Sequence, residues 1–500
     1  MSFKKFGYLL TGFGIFTVSL SFVVDFLGIG KAGIQSAQLL GIVLGVLLMA
    51  TGLGFLNLQQ AETVNFKNSI IGLYERLLNL PPVVWVVLGF VIAYVFLFIF
   101  PMFFNPDHRL QYFNRYIPDK FPLGLDLATI DESIKTWLTT TQGPYQNADI
   151  FYPPLHHVLL APLLLLNYPQ NYYFVVAIIL TSLFILSFLI PLWMNGKRDF
   201  AIPLFFLITA LFSYGLQFEM ERGQFNVITF MLCMLSVYLF YFHRAFRVLA
   251  YILFSFSVQL RLYPAIFIVM FVDDWSAWKM NLKRIFGIGA LNIALLFVLG
   301  YSVLIDFFQA VSGRLGTATW TWVGNHSIAA FVYNLTTSGF GLFDPDTLTW
   351  LQAHSTFISA GLLIYFLICF LALILRDYLN KSRGLNPDLL LICTLGGMMI
   401  PSVSHDYKLA LLAGPMAVAL SNRKIAAADW RKVLSAILII LASLSYSITL
   451  FPFKYRPEYL ESSFPALFFI LTAMTLLSFI APPEYLKAAM DDGPKTMDNG

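Results

Sequence analysis

Charge is the first thing this chain lacks. Only 12% of its 500 residues are Asp, Glu, Lys or Arg, against about 25% in a water-soluble domain. Hydrophobic residues make up 58%. A water-soluble globular fold is excluded by that balance. Cysteine is nearly absent too. Cys233, Cys369 and Cys393 are all there is, each inside an apolar run and none at metal-ligand spacing. They read as packing residues and supply no disulfide framework. No P-loop, HExxH or nucleophile elbow occurs. His156 and His157 follow "FYPP", but adjacent residues point apart on a helix, so a shared metal is not expected. Neither a metal nor a cofactor is expected. The net charge of +4 is small and its basic residues are scattered, which gives no nucleic-acid signal.

What is present is apolar length. Runs fall near 6–28, 37–57, 82–104, 172–194, 199–216, 224–242, 285–305, 354–375, 387–403, 407–421, 433–450 and 464–482. A run of about 20 residues crosses a hydrocarbon layer of about 30 Å. The expectation is an all-α, polytopic transmembrane bundle with about 12 full spans. The start "MSFKKFGYLLTGFGIFTVSL" has a basic end and an apolar run but no clear cleavage site, so it reads as a retained first span. Residues 1–60 form a two-span addition, 61–84 an interfacial segment, 85–482 the core with outer loops 105–151 and 306–352, and 483–500 a polar tail.

Basic residues orient the spans. Lys197–Arg198, Arg244–Arg247, Lys279–Lys283–Arg284, Arg376–Lys381–Arg383 and Arg423–Lys424–Arg431–Lys432 mark five loops. Lys4 and Lys5 add the N-terminus. Twelve crossings place them all inside on one condition: residues 248–272 must enter and leave on the same face. That run holds Arg261 and Pro264 in "RLYP". Pro264 breaks a helix, so two half-helices meeting at "RLYP" are expected. Outside then lie 105–151, the turn "EMERGQFN", the tip "RLYP", 306–352 and "SHDYK". The misplaced polar clusters share one face, as an outward-facing site would require.

Each cluster has a plain reading and a chemical one. Leu127, Ile130, Ile134 and Trp137 recur at helical spacing, with Asp131, Glu132 and Lys135 opposite. They predict an amphipathic helix lying on the membrane. Asp126 at its start is an N-cap or a reactive carboxylate. Arg222, Gln224 and Asn226 beside Gly223 are interfacial anchors or ligand contacts. Arg261 inside an apolar run is costly and marks a functional position by default; its guanidinium suits a phosphate, with structural pairing the alternative. Asn325, His326 and Ser327 in "GNHS" are structural or polar-headgroup contacts. The same holds for His405, Asp406 and Lys408, where Asp406 pairing with Lys408 is the plain reading.

Taken in order, "GLDL", "GPY…FYPPL", "ERGQFN", "LRLYP", "GNHS" and "SHDYKLALL" resemble glycosyltransferase family 87. The resemblance covers roughly residues 85–450. "RGQFN" followed by an R/K-x-x-P element is its most specific part. The family often carries Lys where this chain has Arg261, and the first two spans look like an addition. The resemblance implies a GT-C type fold and an inverting hexosyltransferase. Its donor would be a polyprenyl-phosphate sugar, expected to be mannose, and its acceptor a glycolipid or glycan. Asp126 would be the general base. Arg261, Arg222 and Lys408 are the candidates for the donor phosphate. Tyr145, Tyr152, Gln224, Asn226, Asn325, His326, Ser327, His405 and Asp406 are the candidate substrate contacts, with Trp320 or Trp322 as further stacking rings. The expected location is the cell membrane, plasma or inner, multi-pass, with the site facing away from the cytoplasm. Nucleotide sugars are cytoplasmic, so such a site needs a donor already in the membrane. A secondary transporter or lipid flippase is the competing class. Transporters show a broken helix in each half, whereas only one break is visible here.

Overall fold

The computed structural model describes residues 123–140, 143–145, 151–195, 201–211, 213–315, 321–322, 324–421 and 462–480, with Gly12 alone before them. Apart from Gly12, these belong to one compact unit, Ile117–Gly500. The expected spans at 6–28, 37–57, 82–104 and 433–450, the stretches 1–60, 61–84 and 483–500, and Trp320 lie outside the described residues, Gly12 aside. Among the described residues there is no strand. Two isolated bridges join Asp274 to Arg383 and Asn325 to His405.

The helices follow the apolar runs, with differences at their ends. α1 (Leu125–Thr139) and α2 (Pro154–Leu160) precede the long α3 (Gln170–Met194). α4 (Ala201–Leu211), α5 (Tyr214–Arg222), α6 (Asn226–Phe242) and α7 (Arg247–Leu260) come next. α8 (Trp278–Leu295), α9 (Tyr301–Leu315), α10 (Ile328–Thr337) and α11 (Pro345–Ala353) lead to the long α12 (Ser355–Leu379). α13 (Pro387–Met399), α14 (Ala413–Ser421) and α15 (Phe464–Ile480) complete the described part.

By length and composition α3 and α12 can each cross a bilayer, and a bent pair, Ile202–Leu211 with Gly215–Arg222, makes a third candidate. The chain is a membrane protein. The expectation of about 12 full spans goes beyond these two or three helices; α6, α10, α13 and α15 are shorter apolar helices. Several expected runs are interrupted. The run 285–305 divides between α8 and α9 at Gly300, whose φ of 94° no helix accommodates. The run 407–421 opens as a 3-10 turn, Asp406–Leu412. The turn expected at "EMERGQFN" is shorter: Ser213 caps α5 through Leu216 N–H, the helix runs on to Arg222, and the turn is left to residues 223–225 before α6. Burial separates the two long helices: 78% of the apolar window of α3 is buried, against 17% for α12. α3 is central; α12 presents its apolar side outward, as a lipid-facing helix does.

The segment 248–272 is broken where "RLYP" stands. α7 ends at Leu260, Arg261 is extended (φ −153°, ψ 137°), and a 3-10 helix, Tyr263–Phe271, follows with Pro264 in its first turn. The second leg is thus 3-10 and not α. The geometry closes because 3-10 rises about 2.0 Å per residue, so nine residues cover nearly the length of the α leg. The legs return to one end. Arg247 and Arg284 both donate to Asp273. Arg383 Nε lies 2.9 Å from Asp274, and Gly384 N–H donates to Asp273 O at 3.0 Å. Three of the basic loops therefore gather at one end of the bundle.

The apolar face of α1 is buried, with Leu127, Ile130 and Ile134 at 0–2% exposure. The expectation of a helix lying on lipid is corrected: its face is already covered by protein, with Leu127 set against Gly223 after α5.

Candidate functional site

Two glycines bring "GLDL" to "RGQFN". Gly124 (φ 79°) takes the N-cap position of α1, and its N–H donates to Glu221 O at 2.7 Å. Gly223 (φ 65°) ends α5, and a Cβ there would meet Leu127 Cβ at 2.9 Å. The N-cap reading of Asp126 is thereby corrected. Asp126 stands in the first turn of α1 and caps nothing with its side chain. A carboxylate in that turn still suits the helix dipole.

Its carboxylate goes to other partners. Gln224 Nε2 donates to Asp126 Oδ2, and Arg222 Nη1 lies 3.6 Å from Oδ1. The other end of the Gln224 amide accepts from Arg261 Nη2. One buried glutamine, 2% exposed, thus ties the carboxylate to the guanidinium. Arg261 is 8% exposed, stacks 4.1 Å from the Tyr152 ring centre and keeps a buried Nε without a partner. Lys408 Nζ lies 5.0 Å from the Tyr263 ring centre and donates to Val403 O at 3.2 Å.

These groups line one cavity of about 990 Å³, together with Tyr152, Phe218, Trp322, His405 and Tyr407. Among the described residues its lining holds two guanidinium groups, Arg222 and Arg261, and the Lys408 amine, against the one carboxylate of Asp126. Burial, then the charges of Lys408 and Arg222, drives the His405 pKa down to about 3, so that ring is neutral. The arrangement can hold an anionic group against fixed cations while a carboxylate waits nearby to accept a proton.

The remaining candidates stand behind the wall. Asn226 Nδ2 donates to Glu219 Oε2 at 3.1 Å. Tyr145 hydroxyl donates to Tyr152 O at 2.5 Å. Asn325, His326, Ser327 and Asp406 weld two loops. Asn325 Nδ2 and Ser327 hydroxyl both donate to Ser402 O, at 2.9 and 3.1 Å. Asn325 Oδ1 accepts from Ser404 N–H at 2.9 Å. His326 sits between Asp406 Oδ1 (3.4 Å, through Nδ1) and the Ser404 hydroxyl (3.1 Å, through Nε2). Burial, with Lys408 and His405 near, holds His326 well below its ordinary pKa. A neutral ring offers one donor and one acceptor: Nδ1–H donates to Asp406, and Nε2 accepts from Ser404. Asp406 faces His326, and Lys408 bonds Val403, so the expected Asp406–Lys408 pair gives way to this weld.

The sequence reading passed over Glu219. It is fully buried and accepts Val227 N–H at 2.9 Å besides Asn226. Standing between the runs 199–216 and 224–242, in a stretch expected to be a turn, it gave no signal. Tyr263, whose hydroxyl donates to Asn226 O at 3.0 Å, left no signal either.

A bundle of apolar helices enclosing a cation-lined, carboxylate-bearing cavity defines a membrane-embedded protein with an enzyme-like centre. The family model of glycosyltransferase family 87 matches residues 151–402. The chain belongs to that family and is a glycosyltransferase, with a sugar donor and an acceptor as its substrates. No curated protein matches the chain. The matched stretch holds Tyr152, Arg222, Gln224, Arg261 and Trp322; Asp126, His405 and Lys408 lie outside it and reach the same cavity.

Proposed function

We propose that the protein moves a hexose, with mannose as the expected sugar, from a polyprenyl-phosphate donor to an acceptor hydroxyl on the extracytoplasmic face of the cell membrane, with inversion. One observation carries this reading: Asp126 and Arg261 grip opposite ends of the Gln224 amide inside one cavity. The acceptor oxygen attacks the anomeric carbon from the face opposite the phosphate. Its proton passes to Asp126 as the new C–O bond forms. The C–O bond to phosphate breaks, and the electron pair leaves with the polyprenyl phosphate. Arg261, Lys408 and Arg222 meet the charge that develops there. The gathering of basic loops at the opposite end supports an outward-facing cavity.

The test is transfer of radiolabel from polyprenyl-phosphate mannose, glucose and arabinose to a membrane lipid extract by the purified protein. Asp126→Asn keeps the fold, because Gly124 holds the cap, and is expected to lose about 10²–10⁴ in rate. Arg261→Ala is expected to lose donor binding and Arg261→Lys to keep part of it. Turnover of Asp126→Asn within about threefold of wild type, or undiminished donor binding by a folded Arg261→Ala, sinks the proposal.

A further inference from the structure

The cavity is uneven. Arg222, Arg261 and Lys408 make part of it cationic, while Trp322 forms an aromatic wall backed by Phe218 and His405. The indole is 46% exposed. It is also held in place. A Cβ on Gly324 would meet the ring at 2.4–2.6 Å, so the indole lies directly on that glycine's backbone. Asn325 N–H donates to Trp322 O at 2.9 Å and fixes the turn beneath it. Phe218 meets it edge-on at 5.7 Å, and the His405 ring stands 5.5 Å away. An interfacial tryptophan that only anchors the chain would point into headgroups; this one lines the reaction cavity.

We propose that Trp322 is the floor of an acceptor subsite, and that the acceptor presents a pyranose ring there. This rests on the transferase reading above. A pyranose carries one face of C–H bonds, which packs on the negative face of an aromatic ring, and a rim of hydroxyls that needs polar neighbours. Thr129 and Ser402 line the same cavity. The platform is joined to the reacting carboxylate. Phe218 touches Trp322, the Arg222 guanidinium lies 5.5 Å from the Phe218 ring centre, and Arg222 faces Asp126. A sugar stacked on Trp322 therefore lies next to the Arg222–Asp126 pair, with Arg261 and Lys408 left for an anion. A bare lipid or peptide hydroxyl would gain nothing from such a platform.

The test is a binding measurement that needs no turnover. The full-length protein in nanodiscs is titrated with methyl α-mannopyranoside, methyl β-glucopyranoside and methyl β-galactopyranoside, followed by saturation-transfer NMR. At least one pyranoside is expected to bind, with saturation strongest on its C–H face. Trp322→Leu is expected to weaken it about tenfold, near the upper end of what one aromatic contact supplies, and Trp322→Phe to recover part of the loss. Binding of polyprenyl phosphate by the same variants is expected to be unchanged, which shows that the cavity remains folded. Absence of binding by all three sugars, or equal binding by wild type and Trp322→Leu, overturns the subsite. If instead the transferase reading is wrong, the wild type transfers no label from any polyprenyl-phosphate sugar, a result this titration does not touch.

Discussion

Gln224→Met is the sharpest perturbation of the centre. Methionine keeps the length and bulk of glutamine and removes both ends of its amide. Two hydrogen bonds to charged partners disappear, each contributing roughly 1.5–3 kcal/mol where water cannot replace it. The two losses differ. The Asp126 side chain is 31% exposed, so water takes up most of the slack there. Arg261 is 8% exposed and already has an unpartnered Nε, so its loss is felt nearly in full. The expected destabilisation is therefore about 1.5–3 kcal/mol, nearly all from the arginine side. The catalytic cost is larger in proportion. Without the amide, base and cation are no longer held to one spacing, and a misplacement of about 1 Å costs on the order of 10²-fold in rate. Gln224→Asn is the companion variant. It is one C–C bond shorter, about 1.5 Å, and can reach only one of the two partners. It should fold better than the methionine variant and still transfer sugar poorly. The assay is initial-rate transfer from the best polyprenyl-phosphate donor, with thermal unfolding in the same detergent. A methionine variant that unfolds at the wild-type temperature and turns over within about threefold of wild type, well short of that loss, would falsify the idea that Gln224 sets the spacing.

Gly223→Ala forces a Cβ onto a residue at φ 65° and to 2.9 Å from Leu127 Cβ; it should cost about 1–2 kcal/mol from the backbone alone, with turnover down at least tenfold as α1 shifts, and an unshifted melting curve would count against the close approach. At Asp273, burial works against ionisation, but the bonds from Arg284 and Arg247 outweigh it and hold the carboxyl below its usual range. A depressed folded pKa gives stability that is present above about 4 and lost as pH falls below it. Asp273→Asn should thus melt lower than wild type at pH 7, by about 1 kcal/mol after screening, with the gap closing below pH 4; a gap independent of pH would refute the clasp. In a background without native cysteines, a cysteine at Leu138 should react with an impermeant thiol reagent on intact cells and cysteines at Lys279 or Lys381 should not; labelling at Lys279 would reverse the orientation.

How much of this was legible in the sequence depends on whether a local rule applied. The break at "RLYP" was, because a proline and an intramembrane arginine each carry a local cost that nothing distant can hide. The periodicity of Leu127, Ile130 and Ile134 gave the helix and its buried face. It could not say that protein and not lipid covers that face, since both are apolar. The bridging role of Gln224 was out of reach: its partners lie 98 and 37 residues away, and no local pattern fixes such a contact. The same limit governs "GNHS" and "SHDYK". Their polar residues announce that something is bonded, and only the bridge of Asn325 to His405 shows that much of the bonding is to each other.

The clasp at Asp273 has a consequence for how far into the bilayer the chemistry lies. With both ends of the broken segment pinned, its tip cannot slide, and its height is set by the length of α7. Fourteen helical residues rise about 21 Å, against a hydrocarbon layer of about 30 Å. With α7 upright and starting at the inner boundary, as the orientation proposed above would have it, Arg261 would stand roughly two thirds of the way across, some 9 Å short of the far headgroups. On that placement the proposed lipid-phosphate donor would be drawn down below its resting level, into a cavity that supplies the charge the headgroup layer would have given. α7 works as a ruler. One residue added to it would move the guanidinium by about 1.5 Å and swing it about 100° around the axis, so the length of that helix is as much a part of the centre as the arginine at its end.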